Sequence, residues 1–296
     1  MSDLPTVALI GTGRMGAAMA ARMSAAGIGL VLYNRTPEKA RAVAEDCRAA
    51  VAGTAREAAS AADVVLVSLA DDPAVLAAYR GPDGLAAGLR PGTVVADTST
   101  VDPATVGALQ PLVEERGAEL LDTPVSGNPS VVESGNITVM AGGDADALER
   151  ARPALETFAR RIFHLGGHGT GAAMKLVVNS ALHGLNQAVA ESLVLAEKAG
   201  IPRTAAYEVF VDSAVAAPFV KYKREAYEHP DTTPVAFSLD LVAKDLDLIL
   251  ALAARVGARV PQATANRQVA AAAIAAGYGD DDLAALATYL AGSGQE

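Results

Sequence analysis

Thr6-Val7-Ala8-Leu9-Ile10-Gly11-Thr12-Gly13-Arg14-Met15-Gly16 carries an apolar run straight into G-x-G-x-x-G. A helical pattern follows, Ala17 to Ala26, closed by Gly27, and then a second apolar run, Gly29-Leu30-Val31-Leu32-Tyr33. Strand, glycine turn and helix in this order form the fingerprint of dinucleotide binding. Gly11 permits the tight turn, Gly13 lets backbone approach a pyrophosphate, and Gly16 lets the helix pack on the strand. The first N–H groups of the helix lack intrahelical partners and lie at the positive end of its dipole, so they suit phosphates. Thr12, Arg14 and Met15 complete the candidate loop. A glycine-rich turn alone is common, and the flanking elements make this one specific.

The end of the second strand bears on which dinucleotide. A site for NAD places Asp or Glu there, about 20 residues on, to hold the ribose 2′-hydroxyl. This chain has Asn34-Arg35-Thr36. A carboxylate would repel a 2′-phosphate, whereas Arg35 presents a planar fork of donors and Asn34 and Thr36 add neutral hydrogen bonds. The expected cofactor is NADP(H). Arg35 also reads as an ordinary solvated arginine ahead of a helix that begins at Pro37.

Further strands are expected over Ala62 to Leu69, Thr93 to Ala96, Glu119 to Asp122, Ile137 to Ala141 and Arg161 to Phe163, with helical patterns between them. Such alternation means βαβ units and a mainly parallel sheet, with ligands beyond the carboxyl ends of the strands. Ser68-Leu69, Asp97-Thr98-Ser99-Thr100 and Asp122 to Asn128 fall there, and Ser68, Leu69 and Thr100 are candidates to line the cofactor. The same residue types are ordinary turn formers. The pattern changes at Gly166-Gly167-His168-Gly169-Thr170-Gly171, beyond which every strong periodicity is helical. Ala172 to Ala199 reads as one helix about 42 Å long, followed by helices near 203–213, 216–228, 237–256, 261–276 and 280–291. Residues 1–165 are therefore expected to form an α/β Rossmann domain. Residues 166–296 are expected to form an all-α domain, joined to it by the long inter-domain helix.

Composition excludes several classes. The net charge is −10 and no basic cluster could follow a nucleic-acid backbone. No stretch of about 18 apolar residues free of charge indicates a membrane span, and the first residues lack the basic start of a signal peptide. Cys47 is the single cysteine, which rules out an internal disulfide and accords with a reducing cytoplasm. An anionic substrate would have to be held by a few local positive groups.

Lys175 is the foremost catalytic candidate. It lies early in the long helix, and Asn179 follows on the same face at i, i+4. His183, Asn186 and Gln187 continue a polar line on a helix otherwise made of Ala, Leu and Val. The helix dipole and partial burial both favour the neutral amine, so Lys175 is suited to exchange a proton with a carbonyl or hydroxyl oxygen. A solvated helix lysine has the same sequence signature. Ser126-Gly127-Asn128 offers a hydroxyl and successive N–H groups to a carboxylate, or is a plain turn. Lys244, in Phe237 to Leu246, sits on an apolar helical pattern where a lysine needs a reason. The four histidines and Cys47 show no metal-ligand spacing, no G-x-S-x-G elbow is present, and the glycine loop lacks the Gly-Lys-Ser/Thr ending of a nucleotide triphosphatase.

These motifs together resemble the β-hydroxyacid dehydrogenases, the group of 3-hydroxyisobutyrate dehydrogenase and glyoxylate/succinic semialdehyde reductase. The resemblance spans nearly the whole chain: Gly11 to Ala20, Asn34 to Ala40, Asp122 to Gly127, Gly135 to Gly143, Gly169 to Asn179 and Lys244-Asp245-Leu246. It implies hydride transfer between a nicotinamide and a small β-hydroxyacid or its semialdehyde or oxo acid. Lys175 would be the proton donor, Asn179 would position substrate, Ser126 and Gly127 would bind its carboxylate, and Thr100 and Lys244 would lie near the cofactor. It also implies a homodimer or homotetramer built through the helical domain. The family usually has a second glycine where this chain has Asn128, whose side chain is expected to reshape the carboxylate site. Imine reductases share the fold but generally replace the lysine, so an imine or other carbonyl reductase is the alternative. A non-catalytic NADPH-binding regulator would not need the Lys175-Asn179 pair. 6-Phosphogluconate dehydrogenase is similar at the start but has a much larger helical domain.

Overall fold

Val7–Ile10 forms strand β1 with all four side chains buried, as expected of a central strand covered on both faces. The computed structural model describes residues 4–292. After β1 come α1 (Arg14–Ala25), β2 (Leu30–Tyr33), α2 (Pro37–Cys47), β3 (Ala50–Val51), α3 (Ala55–Ser60), β4 (Val64–Val67), α4 (Asp72–Tyr79), β5 (Val94–Asp97) and α5 (Pro103–Glu114). The first half continues with β6 (Glu119–Asp122), β7 (Val125–Ser126), α6 (Pro129–Glu133), β8 (Ile137–Gly143), α7 (Ala145–Leu155) and β9 (Ala159–His164). The remaining elements are α8 (Thr170–Lys198), α9 (Arg203–Asp212), α10 (Pro218–Tyr222), α11 (Arg224–Glu228), α12 (Leu239–Val256), α13 (Pro261–Ala273) and α14 (Ala285–Gly292).

The strand order is β3-β2-β1-β4-β5-β6-β8-β7, with β9 paired to β8. From β3 to β6 every pairing is parallel; β8 runs antiparallel to β6 and β7 and parallel to β9. The order reverses at β1 and β4, the switch point at which open α/β sheets bind ligands. Two apolar layers cover the sheet, one containing Leu9, Met19, Leu32 and Leu66, the other Ile10, Val65, Val67 and Tyr79.

The chain divides into two compact units, the first ending at Lys175 and the second beginning at Leu176. The second unit has its own core, including Leu176, Val189, Leu193, Tyr207, Tyr227 and Leu246. α2 stops at Cys47, where Arg48 adopts the left-handed conformation (φ 51°), and Ala50–Val51 joins the sheet. Two local expectations need correction. The helix expected over 216–228 is two short ones broken at Lys223, whose ammonium is drawn inward to Asp282. The last turns after Ala273 widen into a π-turn, with Gly277 at φ 98°. No helix among the described residues is long and apolar enough to cross a membrane.

Candidate active site

Backbone contacts in the glycine loop leave no room for a side chain at Gly11 or Gly16. Gly11 has φ 101°, and a Cβ there would strike the Ser68 carbonyl oxygen; a Cβ on Gly16 would strike the carbonyl oxygen of Gly11. A Cβ on Gly13 would meet nothing within 4 Å. Gly13 is also the N-cap of α1, with no side chain capping that end. The helix thus presents its first N–H groups toward open space, which suits a pyrophosphate. The Thr12 backbone N–H donates to Asn34 Oδ1 at 3.2 Å, while Thr12 Oγ1 is buried without a partner. Asn34 Nδ2 donates to the Thr36 carbonyl at 3.0 Å. Asn34 is therefore a brace tying the loop to the end of β2. A pocket of about 300 Å³ opens beside it, lined by Asn34, Arg35, Arg41, Val51 and Gly53 among others. Arg41, which sequence reasoning missed, lies one turn into α2 and pairs with Glu38 at 3.1 Å. On the neighbouring strands, the Ser68 N–H donates to Ile10 O at 2.9 Å and Leu69 N–H to Ser99 Oγ at 3.0 Å. The ends of β1, β2, β4 and β5 thereby gather the glycine loop, Asn34, Ser68 and Leu69, with Thr100 following Ser99. These residues fit a dinucleotide.

Two buried carboxylates stand at the next strand ends. Asp97 accepts from Tyr79 Oη at 3.0 Å and from the Ser99 N–H at 2.9 Å. Burial pushes its carboxyl up to about 6 despite those donors, and the charge of Asp122 adds to the effect. Asp122 accepts from the N–H groups of Gly169 at 2.8 Å and Ala172 at 2.7 Å, so it anchors the start of α8. This approach requires glycine at 142 and 171, since a Cβ on either would collide with Asp122 or the backbone around it. Asp122 was legible only as a strand end; its role depends on a partner far along the chain.

The loop after β7 holds the other candidates. Ser126 is half-buried, and Gly127 has φ 139° with Ile137 and Val131 where a side chain would be. Asn128 has a capping role in the loop. Its Oδ1 accepts from the Val131 N–H at 3.1 Å and from Ser130 Oγ at 2.7 Å, capping α6. The stretch Asn-Pro-Ser-Val is a helix-start signature that accounts for the residue.

On α8, half-buried Lys175 precedes Asn179 by one turn. Asn179 Nδ2 donates to Asp245 Oδ2 at 2.6 Å, and Lys244 Nζ lies 3.0 Å from Asp245 Oδ1. Asp245 is 1 % exposed and is thus the hub between Asn179 on α8 and Lys244 on α12. The rest of the polar line is divided between roles. Asn186 accepts from Tyr227 Oη at 2.6 Å and Gln187 donates to Glu191 at 2.7 Å, so both are satisfied structural groups. Cys47 is buried, and burial first, then Asp46, raises its thiol pKa, the opposite of an activated nucleophile.

Residues 6–166 match the family model described as the NAD binding domain of 6-phosphogluconate dehydrogenase. Residues 169–290 match the one described as the NAD-binding of NADP-dependent 3-hydroxyisobutyrate dehydrogenase. The chain belongs to the β-hydroxyacid dehydrogenase family. As a β-hydroxyacid dehydrogenase it is a nicotinamide-dependent oxidoreductase. It is 31% identical to glyoxylate/succinic semialdehyde reductase 2, chloroplastic, of Arabidopsis thaliana, over 97% of this chain and 80% of that protein. It is 32% identical to the NAD-dependent L-serine dehydrogenase of Pseudomonas aeruginosa, over 95% of this chain and 96% of that one. Among solved structures, the Mycobacterium tuberculosis 3-hydroxyisobutyrate dehydrogenase with L-serine superposes with a TM-score of 0.84 at 32% identity, covering 97% and 99% of the two chains. In this β-hydroxyacid dehydrogenase the glycine loop and the Asn179–Asp245–Lys244 constellation lie within the two matched segments.

Proposed function

We propose that the protein is an NADP(H)-dependent dehydrogenase/reductase of small β-hydroxyacids or their semialdehydes, with Lys175 as general acid/base. The observation that carries this reading is the Asn179–Asp245–Lys244 constellation, in helical phase with Lys175. Bound at the glycine loop, the nicotinamide cofactor would supply or accept the hydride. Lys175 would hold and exchange the proton at the oxygen of the reacting carbon, the role its family position implies. Asn179 has its Nδ2 committed to Asp245, so it offers Oδ1 to a substrate hydroxyl. Ser126 and the N–H of Gly127 would take the substrate carboxylate, and Lys244 would lie near the cofactor, as the family resemblance implies. Arg35, joined by Arg41 in the pocket at the end of β2, supports NADP over NAD, as does the lack of an acid at that strand end.

Turnover with a panel of glyoxylate, succinic semialdehyde, 3-hydroxyisobutyrate and L-serine, each with both nucleotides, tests the reading. A general acid–base group contributes about 10²–10⁴-fold. Lys175→Ala is expected to lose turnover on that scale while still binding NADPH. Near-normal turnover in that variant would falsify the assignment.

The same reading includes a homo-oligomer through the helical unit, acting in a reducing cytoplasm with no nucleic-acid partner. Exposed Leu195, Val209 and Val256 support an interface there, and sedimentation velocity, returning a dimer or tetramer rather than a monomer, is its test.

A further inference from the structure

His183 is 2 % exposed, and neither of its ring nitrogens has a hydrogen-bond partner. It follows Asn179 by one turn of α8. Its Nε2 stands 3.6 Å from Asp245 Oδ2, the same oxygen that accepts from Asn179 Nδ2 at 2.6 Å. Its ring lies against that of Phe237, with centroids 6.2 Å apart and planes tilted by 36°. Both walls of this niche are braced. Asn179 and Lys244 hold Asp245. The N–H groups of Ala236 and Phe237 donate to Asp282, at 2.9 and 3.3 Å, and Lys223 Nζ clamps that carboxylate at 2.7 Å. An imidazole in such a place is a poor choice for stability, since a buried polar group without a partner is destabilising and an apolar side chain of similar volume is not. Nε2 faces the carboxylate of Asp245, whose Oδ2, 3.6 Å away, also holds the Asn179 amide.

We infer that His183 is a positioning residue, acting on the substrate-binding amide of Asn179 through Asp245. With its proton on Nε2, the ring needs only a small rotation to close the 3.6 Å gap and donate to Oδ2. Oδ2 then accepts from two donors on successive turns of one helix, and the carboxylate cannot rotate. Asn179, tied to that oxygen, holds Oδ1 in one direction. The inference rests on the substrate role of Asn179 proposed above.

The test uses the full-length chain as His183→Leu, His183→Gln, Asn179→Ala and the Asn179→Ala/His183→Leu pair. Melting temperatures and kinetics are measured with the panel substrate of highest kcat/KM. His183→Leu is expected to melt no lower than wild type yet lose about tenfold or more in kcat, with KM for the nucleotide unchanged. Gln, whose Nε2 donor reaches a similar depth, is expected to restore most of the loss. The double variant should be no worse than Asn179→Ala, because both act along one path. Wild-type kinetics in His183→Leu alongside an impaired Asn179→Ala overturn the positioning role alone. Wild-type kinetics in Asn179→Ala overturn the reading of Asn179 and the positioning role with it. Long-range ¹H–¹⁵N spectra of histidine-labelled protein, assigned by difference from His183→Gln, give a readout independent of turnover. A proton on Nε2 is expected, and a ring protonated only on Nδ1 overturns the inference.

Discussion

Asn128 shows how one residue's partners change its meaning. Its Oδ1 accepts from the backbone and side chain just ahead of it and so closes the start of α6. Replacing an N-cap Asn by Ala costs about 1 kcal/mol, and by Gly only a few tenths. Asn128→Ala should therefore lower stability by about that amount in urea unfolding. Asn128→Gly should leave stability and the substrate profile nearly unchanged. A shifted acid preference in Asn128→Gly would restore the direct substrate role that the sequence alone led one to expect. Asn34 likewise acts within the fold, bracing the glycine loop against the end of β2.

At the scale of elements, the carboxyl ends of β5 and β6 concentrate buried acid. Asp97, at the end of β5, is held up to about 6, mainly by burial. Between the ordinary carboxylate range and about pH 6 the folded protein keeps this proton while the unfolded chain has released it. Folded molecules then bind more protons than unfolded ones, so stability falls as pH rises through that window. The contribution is full below the unfolded value and lost above the folded one, about 2–3 kcal/mol in all. Urea unfolding across pH 4–7 should show this decline in the wild type, and Asp97→Asn should lack that increment. Tyr79→Phe should move the window upward, because it removes a donor that favours the carboxylate. Identical pH slopes in wild type and Asp97→Asn would show that Asp97 titrates normally. Asp122, one strand over, anchors the first turn of α8, the helix that carries Lys175, Asn179 and His183.

At the scale of the molecule, each of the two units has its own core, and the glycine loop belongs to the first. A ligand that binds only the folded state stabilises by about 2.7 kcal/mol at a hundred times its Kd. For a protein of 296 residues that is a rise of roughly 4–5 °C in Tm. NADPH should therefore raise the melting temperature of the wild type more than NADH at equal concentration. If Arg35 holds the 2′-phosphate as proposed, Arg35→Ala should close the gap, since a charge-assisted contact of this kind contributes about 1–3 kcal/mol. An equal or larger shift with NADH would reverse the cofactor preference.

The sequence by itself determined the parts governed by short-range sterics and periodicity. Gly11 and Gly16 stand where the turn and the packing of the helix onto it exclude a side chain, and Gly13 leaves open space between them. The apolar runs marked the strands that became β1, β2 and β4, and the 3.6-residue repeat put Lys175, Asn179 and His183 on one face. The tertiary structure alone decided which groups meet across long stretches of chain. Asn179 finds Asp245 66 residues away, and Asp122 reaches Gly169 and Ala172 across 47 and 50 residues. Arg41 comes to share a pocket with Gly53 through the return of the chain along β3. Periodicity tells which face of an element is buried but not what it is buried against. The partners of these polar groups became visible only once the elements were packed.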